Sequence, residues 1–455
     1  MSTQGVRNFR PKVHFTPPAM WSNDPNGMVY IDGVWHLYYQ HHPKEAVWGP
    51  MHWGHAVSRD LLHWEHLPIA LYPDEKGYIF SGSAVYDREN TSGFARDGET
   101  PIVAIYTNHR AEDGREQQSI AYSLNGGIQF EKYYGNPVIE NPGLSDFRDP
   151  KVFWNRKKNC WSLIVAAKNC AYIYASDNLK DWKKTGEFGA VEDKVKTTWE
   201  CTDIFPVMTE EGEKWVLLAS MMEPEKGGWA RIQYFVGEFD GETFHDTEKS
   251  DEPLWLDFGF DNYAGVIFNN YIKPIFLAWG VNPTYANQAP TGSYAGLMTI
   301  PRELSLVNTE YGYRIAAAPF GLDKIRAGSY PVFDGSPVLM ESFGLKVAGT
   351  HGKIILKNQK NQKITISVTS DKIIVDRSRA GAQSFSEKFG SEIYSVAQTR
   401  RLAKGDVKME ILFDVSYLEV FADGGLETAS MVVYPDAPYQ TLIMEGDLRA
   451  EMFEL

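Results

Sequence analysis

Acidic side chains recur along this chain inside short motifs crowded with Asn, Gly, Pro and Trp. WSNDPNG spans 21–27, DFRDP 146–150 and WECTD 199–203, and two further polar motifs, FSGSA at 80–84 and DFGFDNYA at 257–264, fall between and after them. With Asp24, Gly82, Asp149, Glu200 and Asp261 as markers, successive gaps are 58, 67, 51 and 61 residues. Each motif alone has an ordinary explanation. NDPNG is turn chemistry, Asp149 next to Arg148 makes a surface ion pair, and a strand glutamate such as Glu200 is commonly solvated. Near-regular spacing changes the reading, because a repeated fold brings matching positions to one place. Carboxylates sharing a pocket repel, so their protonation must split, one group kept neutral as an acid and another ionised. That is the equipment of a glycosidase. Asp24 and Asp149 each precede a proline, which predicts extended backbone at both.

The elements that would hold these motifs repeat as well. Apolar strands carrying a large side chain, VWHLYYQ, IVAIYT, CWSLIVAA, KWVLLAS and PIFLAWG, start at 34, 102, 160, 214 and 274. Each follows one polar motif. A small residue in a strand and an aromatic six or seven places on recurs behind them, as in HAVSRDLLHW (55–64) and YASDNLKDW (174–182). Units of roughly 50–70 residues holding about four short strands are propeller blades, and five of them fill about residues 12–310. The innermost strands of a propeller line one axial funnel, so the five motifs should converge there. From about 311 the texture changes to period-two alternation, as in KITISVTSDKIIVDRS (363–378) and KMEILFDVSYLEVFADGG (408–425), which reads as an antiparallel sandwich. The expected fold class is all-β: a five-bladed β-propeller followed by a C-terminal antiparallel β-sandwich. The expected boundaries are a catalytic propeller over 1–315, a linker over 316–336 and the sandwich over 337–455.

Composition removes several classes. The 455 residues carry 59 acidic and 45 basic side chains, a net charge of −14, which argues against a nucleic-acid partner. With 43% apolar residues the chain can bury a large core, yet no run approaches the length of a membrane span. The start MSTQGVRNFRPKVHF lacks the apolar centre of a signal peptide, so the sequence as it stands reads as cytoplasmic. Three cysteines, Cys160, Cys170 and Cys201, are too few for a disulfide framework. Histidines at 41, 42, 52, 55, 63 and 66 lack compact ligand spacing, so no metal is expected. No glycine-rich phosphate loop opens a helix, so no cofactor is expected either. Trp21, Trp48, Trp53 and Trp199 lie near the polar motifs and are placed to stack on a sugar.

WSNDPNG, YYQHHP, WGPMHWGHAVSRDLLHW, FSGSA, FRDP and WEC, in this order, resemble glycoside hydrolase family 32, and PRELSL (301–306) and LEVFADGG (418–425) extend the likeness to the sandwich. The resemblance covers the chain from about residue 11 and implies retaining, exo-acting hydrolysis of terminal β-fructofuranosides. It implies that Asp24 is the nucleophile, Glu200 the general acid and base, and Asp149 the stabiliser of the transition state. Asn23, Gln40, Trp48, Phe80, Ser81 and Arg148 match positions lining the fructose subsite. Tyr263 and Cys201 match residues close to Glu200, and Trp279 matches a substrate-binding position. On this reading Asp24 stays ionised with help from Arg148, while Glu200 holds its proton near neutral pH. The chain departs from the family pattern at Ser22, Thr202, Asn262 and Pro283, the last three on the leaving-group side. The implied partner is a small carbohydrate: sucrose, a fructo-oligosaccharide or a levan- or inulin-type end. A homodimer through the sandwich is allowed. Sucrose-6-phosphate hydrolysis and fructosyl transfer remain as alternatives within the class. An inverting propeller glycosidase, an inactive sugar-binding relative and a protein-interaction platform remain outside it.

Overall fold

A computed structural model describes residues 7–96, 98–189, 197–223, 229–248, 250 and 252–455. It is all-β, with five consecutive antiparallel sheets followed by a six-stranded and a five-stranded sheet. The first strand of each consecutive sheet, Met20–Ile31, Tyr78–Tyr86, Phe147–Asn155, Thr198–Thr209 and Tyr263–Ile267, touches its counterpart in the next sheet, and the fifth touches the first. That closed ring of inner strands is a five-bladed propeller. Its first sheet gains a short fifth strand, Tyr294–Ala295, running parallel to Met20–Ile31 and sealing the last blade onto the first.

Burial explains why the repeats show in the sequence. Second strands are covered on both faces by neighbouring blades, so Cys160–Ala167 is buried at every position and reads as an unbroken apolar run. Third strands alternate, as Trp229–Phe239 does. Outermost strands such as Lys183–Gly189 are largely exposed and polar, and nothing in their composition sets them apart from loops.

The sandwich starts earlier than the composition suggests. The last propeller strand is Gly312–Pro319, and Ala327–Val332 already pairs with Arg449–Glu454 at the edge of the six-stranded sheet. About half of the segment 316–336 is therefore strand, and the connection between the two sheets is only 320–326. Gly328 and Pro331 mislead because an edge strand tolerates residues that a central ladder rejects.

Sandwich and propeller are joined by buried charges. Arg302 Nη1 donates to Asp257 at 2.9 Å and its Nη2 to Glu419 at 2.6 Å. His14 lies between Asp414 and Glu419, 2.9 Å from each. Arg377 of the sandwich donates to Asp261 at 2.6 Å. PRELSL and LEVFADGG thus supply the two ends of one buried network.

Candidate active site

All five inner strands break register with their second strands at the polar motif. The irregularities fall between Ser22 and Pro25, Ile79 and Gly82, opposite Ile164–Ala166 at Asp149-Pro150, between Glu200 and Asp203, and between Tyr263 and Val266. A β-bulge adds a residue to one strand and re-aims the side chains around it. Repeated five times around one axis, it turns Asp24, Ser81, Asp149, Glu200 with Cys201, and Tyr263 into a single hydrogen-bonded cluster.

The bulges overturn the expected backbone at Asp149. Its φ is 66°, left-handed rather than extended, and Cys201 (43°) and Ala264 (55°) share that conformation. Such strain at non-glycine residues persists only where surrounding contacts over-determine it. Here Thr107 Oγ1 accepts the Asp149 N–H at 3.0 Å, and the Cys201 N–H donates to Asp149 Oδ2 at 2.9 Å.

Asp24 accepts from Asn23 Nδ2 at 2.8 Å and from Ser81 Oγ at 2.6 Å, with the Cys201 thiol at 3.5 Å. Asn23 is aimed in turn by the Trp21 indole N–H, 2.7 Å from its Oδ1. The same thiol lies 3.6 Å from Asp149 Oδ2. Glu200 takes Arg148 Nη2 at 2.9 Å on one oxygen and the Tyr263 hydroxyl on the other. Asp24, Asp149 and Glu200 therefore sit in one pocket, as the spacing predicts.

Electrostatics depart from expectation in two ways. Arg148 pairs with Glu200, not Asp24. Asp24, expected to stay ionised, is lifted by burial, and so is Asp149. Burial lifts Asp149 to about 8, the Asp24 and Glu200 charges adding to it and Arg148 opposing. Burial also lifts Asp24, against the bonds from Ser81 and Asn23. Burial and the carboxylates push the Cys201 thiol well up, so it is a neutral donor and not a nucleophile.

Of the remaining residues, Phe80 and Trp48 form the rim. Trp48 is half-exposed and edge-on to Phe80 at 6.1 Å. Gln40 is buried and ties blade one to blade two through Asn26 Oδ1 (2.7 Å) and Ile79 O (3.0 Å). Trp279 is buried opposite Tyr263, edge-on to Trp21, and its indole N–H meets no protein acceptor among the described residues. Asp261 does not reach the funnel. It is spent on Arg377, on Tyr285 and on the Val432 N–H, so the fifth blade presents Tyr263 instead. Ser22 replaces a bulky residue because Gly296 packs onto its backbone and hydroxyl, leaving no room for one. His41 and His42 bond to the Trp21 and Val47 carbonyls.

Farther along the inner strands the axis is bridged. Lys151 Nζ lies 2.9 Å from Asp203, Ile267 N–H donates to Asp203 at 2.8 Å, and Asn269 Nδ2 donates to Ala84 O (2.8 Å) and Val152 O (2.9 Å). These contacts join four blades beneath the carboxylates, so the pocket has a floor. Sequence reading missed Glu116, His109 and Thr107, which back the site from the second blade. No local motif marks them, because their role arises from strand pairing.

A propeller with a floored acidic pocket at its axis and a sandwich locked to its side defines a class of glycoside hydrolase. Comparison places the chain within it. The profile for the glycosyl hydrolases family 32 N-terminal domain matches residues 14–319, and that for the family 32 C-terminal domain matches 325–447. The levanase of Bacillus subtilis is 41% identical, over 94% of this chain and 67% of its own. The invertase of Schizosaccharomyces pombe is 32% identical, over 92% of this chain and 79% of its own. The crystal structure of exo-inulinase from Aspergillus awamori superposes with a TM-score of 0.90 at 31% identity, covering 99% of this chain and 98% of that one. The chain belongs to glycosyl hydrolase family 32 and is a glycoside hydrolase.

Proposed function

We propose that the protein is a retaining, exo-acting β-fructofuranosidase that removes terminal β-D-fructofuranosyl residues, with sucrose and short fructo-oligosaccharides as first substrates. The observation that supports it best is the cluster of Asp24, Asp149 and Glu200 on the inner strands, with contacts farther along those strands closing the axis beneath it. A pocket closed at its base accepts a chain end rather than a chain interior. The levanase, invertase and exo-inulinase relatives agree with such a substrate.

The steps follow from the contacts. An Asp24 oxygen attacks the anomeric carbon while Glu200 gives its proton to the glycosidic oxygen. The bond between carbon and that oxygen breaks, the remaining sugar leaves as an alcohol, and a fructosyl ester on Asp24 results. Water then gives a proton to Glu200 as its oxygen attacks the same carbon, and the ester opens to release fructose and the Asp24 carboxylate. Asp149, in the same cluster, holds the fructosyl hydroxyls as the oxocarbenium-like transition state forms. Neither metal nor organic cofactor is called on. Cys201, Ser81 and Asn23 orient the Asp24 carboxylate, and Tyr263 and Arg148 orient Glu200.

Purified protein offered equimolar sucrose, sucrose 6-phosphate, 1-kestose and levanbiose tests this. Release of fructose that disappears in Asp24→Asn supports the reading, and the preferred substrate identifies the leaving group. Preference for sucrose 6-phosphate would replace the substrate assignment, and no release from any of the four by folded protein would overturn the class of reaction.

A further inference from the structure

Arg148 has one nitrogen on Glu200, and what keeps that nitrogen there lies behind it in the second blade. Glu116, on the strand Arg115–Ser123, has a side chain only 3% exposed. Both of its oxygens lie 3.2 Å from Arg148 Nη1. Its Oε2 also accepts the Phe147 N–H at 2.8 Å, which fixes the start of the inner strand that carries Arg148 and Asp149. Its Oε1 lies 3.3 Å from His109 Nδ1, and the His109 ring stacks on Phe80 with centroids 4.3 Å apart at 8°. One buried carboxylate therefore backs both the arginine that meets Glu200 and the aromatic wall across the pocket.

Asp146 also holds Arg148 Nη1, at 2.7 Å, but its side chain is 32% exposed and lies on the solvent side. Without the Glu116 charge, the guanidinium is drawn toward Asp146 and Nη2 leaves Glu200. We propose that Glu116 is a positioning residue for proton donation: it fixes Arg148 so that Glu200 is aimed at the glycosidic oxygen. The inference rests on Glu200 acting as the acid in the proposed reaction.

The diagnostic is dependence on the leaving group. The glucose unit of sucrose leaves as a strongly basic alkoxide unless protonated, whereas the p-nitrophenolate of p-nitrophenyl β-D-fructofuranoside is weakly basic and needs little help. Glu116→Gln keeps the shape and an acceptor for the Phe147 N–H but removes the charge. Its kcat/KM for sucrose should fall by about 100-fold, the scale of a misaligned general acid. With the aryl fructoside the fall should be at least about tenfold smaller, since only the proton-transfer part of the barrier is lost. A purely structural role would lower both alike. Glu116→Asp, which keeps the charge one methylene short of Arg148, should show the same bias and replaces the glutamine variant if that one fails to fold. Equal losses on the two substrates, or no loss, would overturn the proposal. Wild-type protein inert toward both would instead overturn the β-fructofuranosidase reading.

Discussion

At Asp149 the needs of the fold and of the pocket conflict. Its backbone is left-handed, its carboxyl is buried among other acids, and its folded pKa of about 8 lies far above the 3.8 of an unperturbed aspartate. Between those values the folded chain holds a proton that the unfolded chain has released, so stability falls as pH rises through that window. Asp149→Asn removes this dependence. The melting temperature of the variant relative to wild type should climb from pH 4 to pH 8; an unchanged difference would show that Asp149 is not the titrating group. Asp24→Asn should leave folding intact while removing essentially all fructose release, measured by reducing-sugar assay. At this scale much was legible. Asp24, Arg148, Asp149, Glu200 and Tyr263 stand in motifs contiguous along inner strands, where the sequence carries the whole pattern. That burial lifts Asp24 and Asp149 was not legible, since it depends on how deep they lie, and Glu116 was not, since only pairing with His109 brings it to Arg148.

The bulged inner strand, built five times, is the element that converts a repeat into a site. Its tightest point is Gly82, where an added Cβ would sit 2.1 Å from the Ile105 carbonyl oxygen and 2.6 Å from Tyr106 Cα. Gly82→Ala must push two strands apart, and it should cost about 1–3 kcal/mol, the usual scale of overpacking. Ser81 would move with it, so fructose release should fall as well. A variant with wild-type melting temperature and activity would mean that the bulge is not set by this contact. The strands themselves could be read because burial on both faces leaves apolar runs. The bulges could not, because the proline rule at Asp149-Pro150 describes an isolated dipeptide and not one pinned by Thr107 and Cys201. The connection is shorter than the composition suggests for a related reason: Ala327–Val332 is a strand only because Arg449–Glu454 pairs with it.

Across the whole molecule, the sandwich is locked to the propeller by buried ion pairs rather than by an apolar seam alone. Arg377→Met would leave Asp261 without its cation and should cost about 3–5 kcal/mol, as breaking one side of a buried pair does. A loss below about 1 kcal/mol, the scale of a solvent-exposed pair, would contradict the assignment. His14 adds a pH dependence. Buried between Asp414 and Glu419, it has a folded pKa of about 9 against 6.5 unperturbed, the two carboxylates outweighing burial. Its stabilisation is complete below 6.5 and is lost as pH rises through 9. His14→Gln should therefore be much less stable than wild type at pH 6, with the gap narrowing by pH 9.5 in thermal melts. Asp261 and Glu419 stand in motifs, but none of these pairings was visible, because the partners lie up to 405 residues apart. The central claim is double displacement through Asp24, and it is tested most directly by offering sucrose to the protein in water containing methanol. The account predicts that fructose and methyl β-D-fructofuranoside form together, with configuration retained, and that both vanish in Asp24→Asn. A methyl α-D-fructofuranoside product, or full activity without the Asp24 carboxylate, would contradict it.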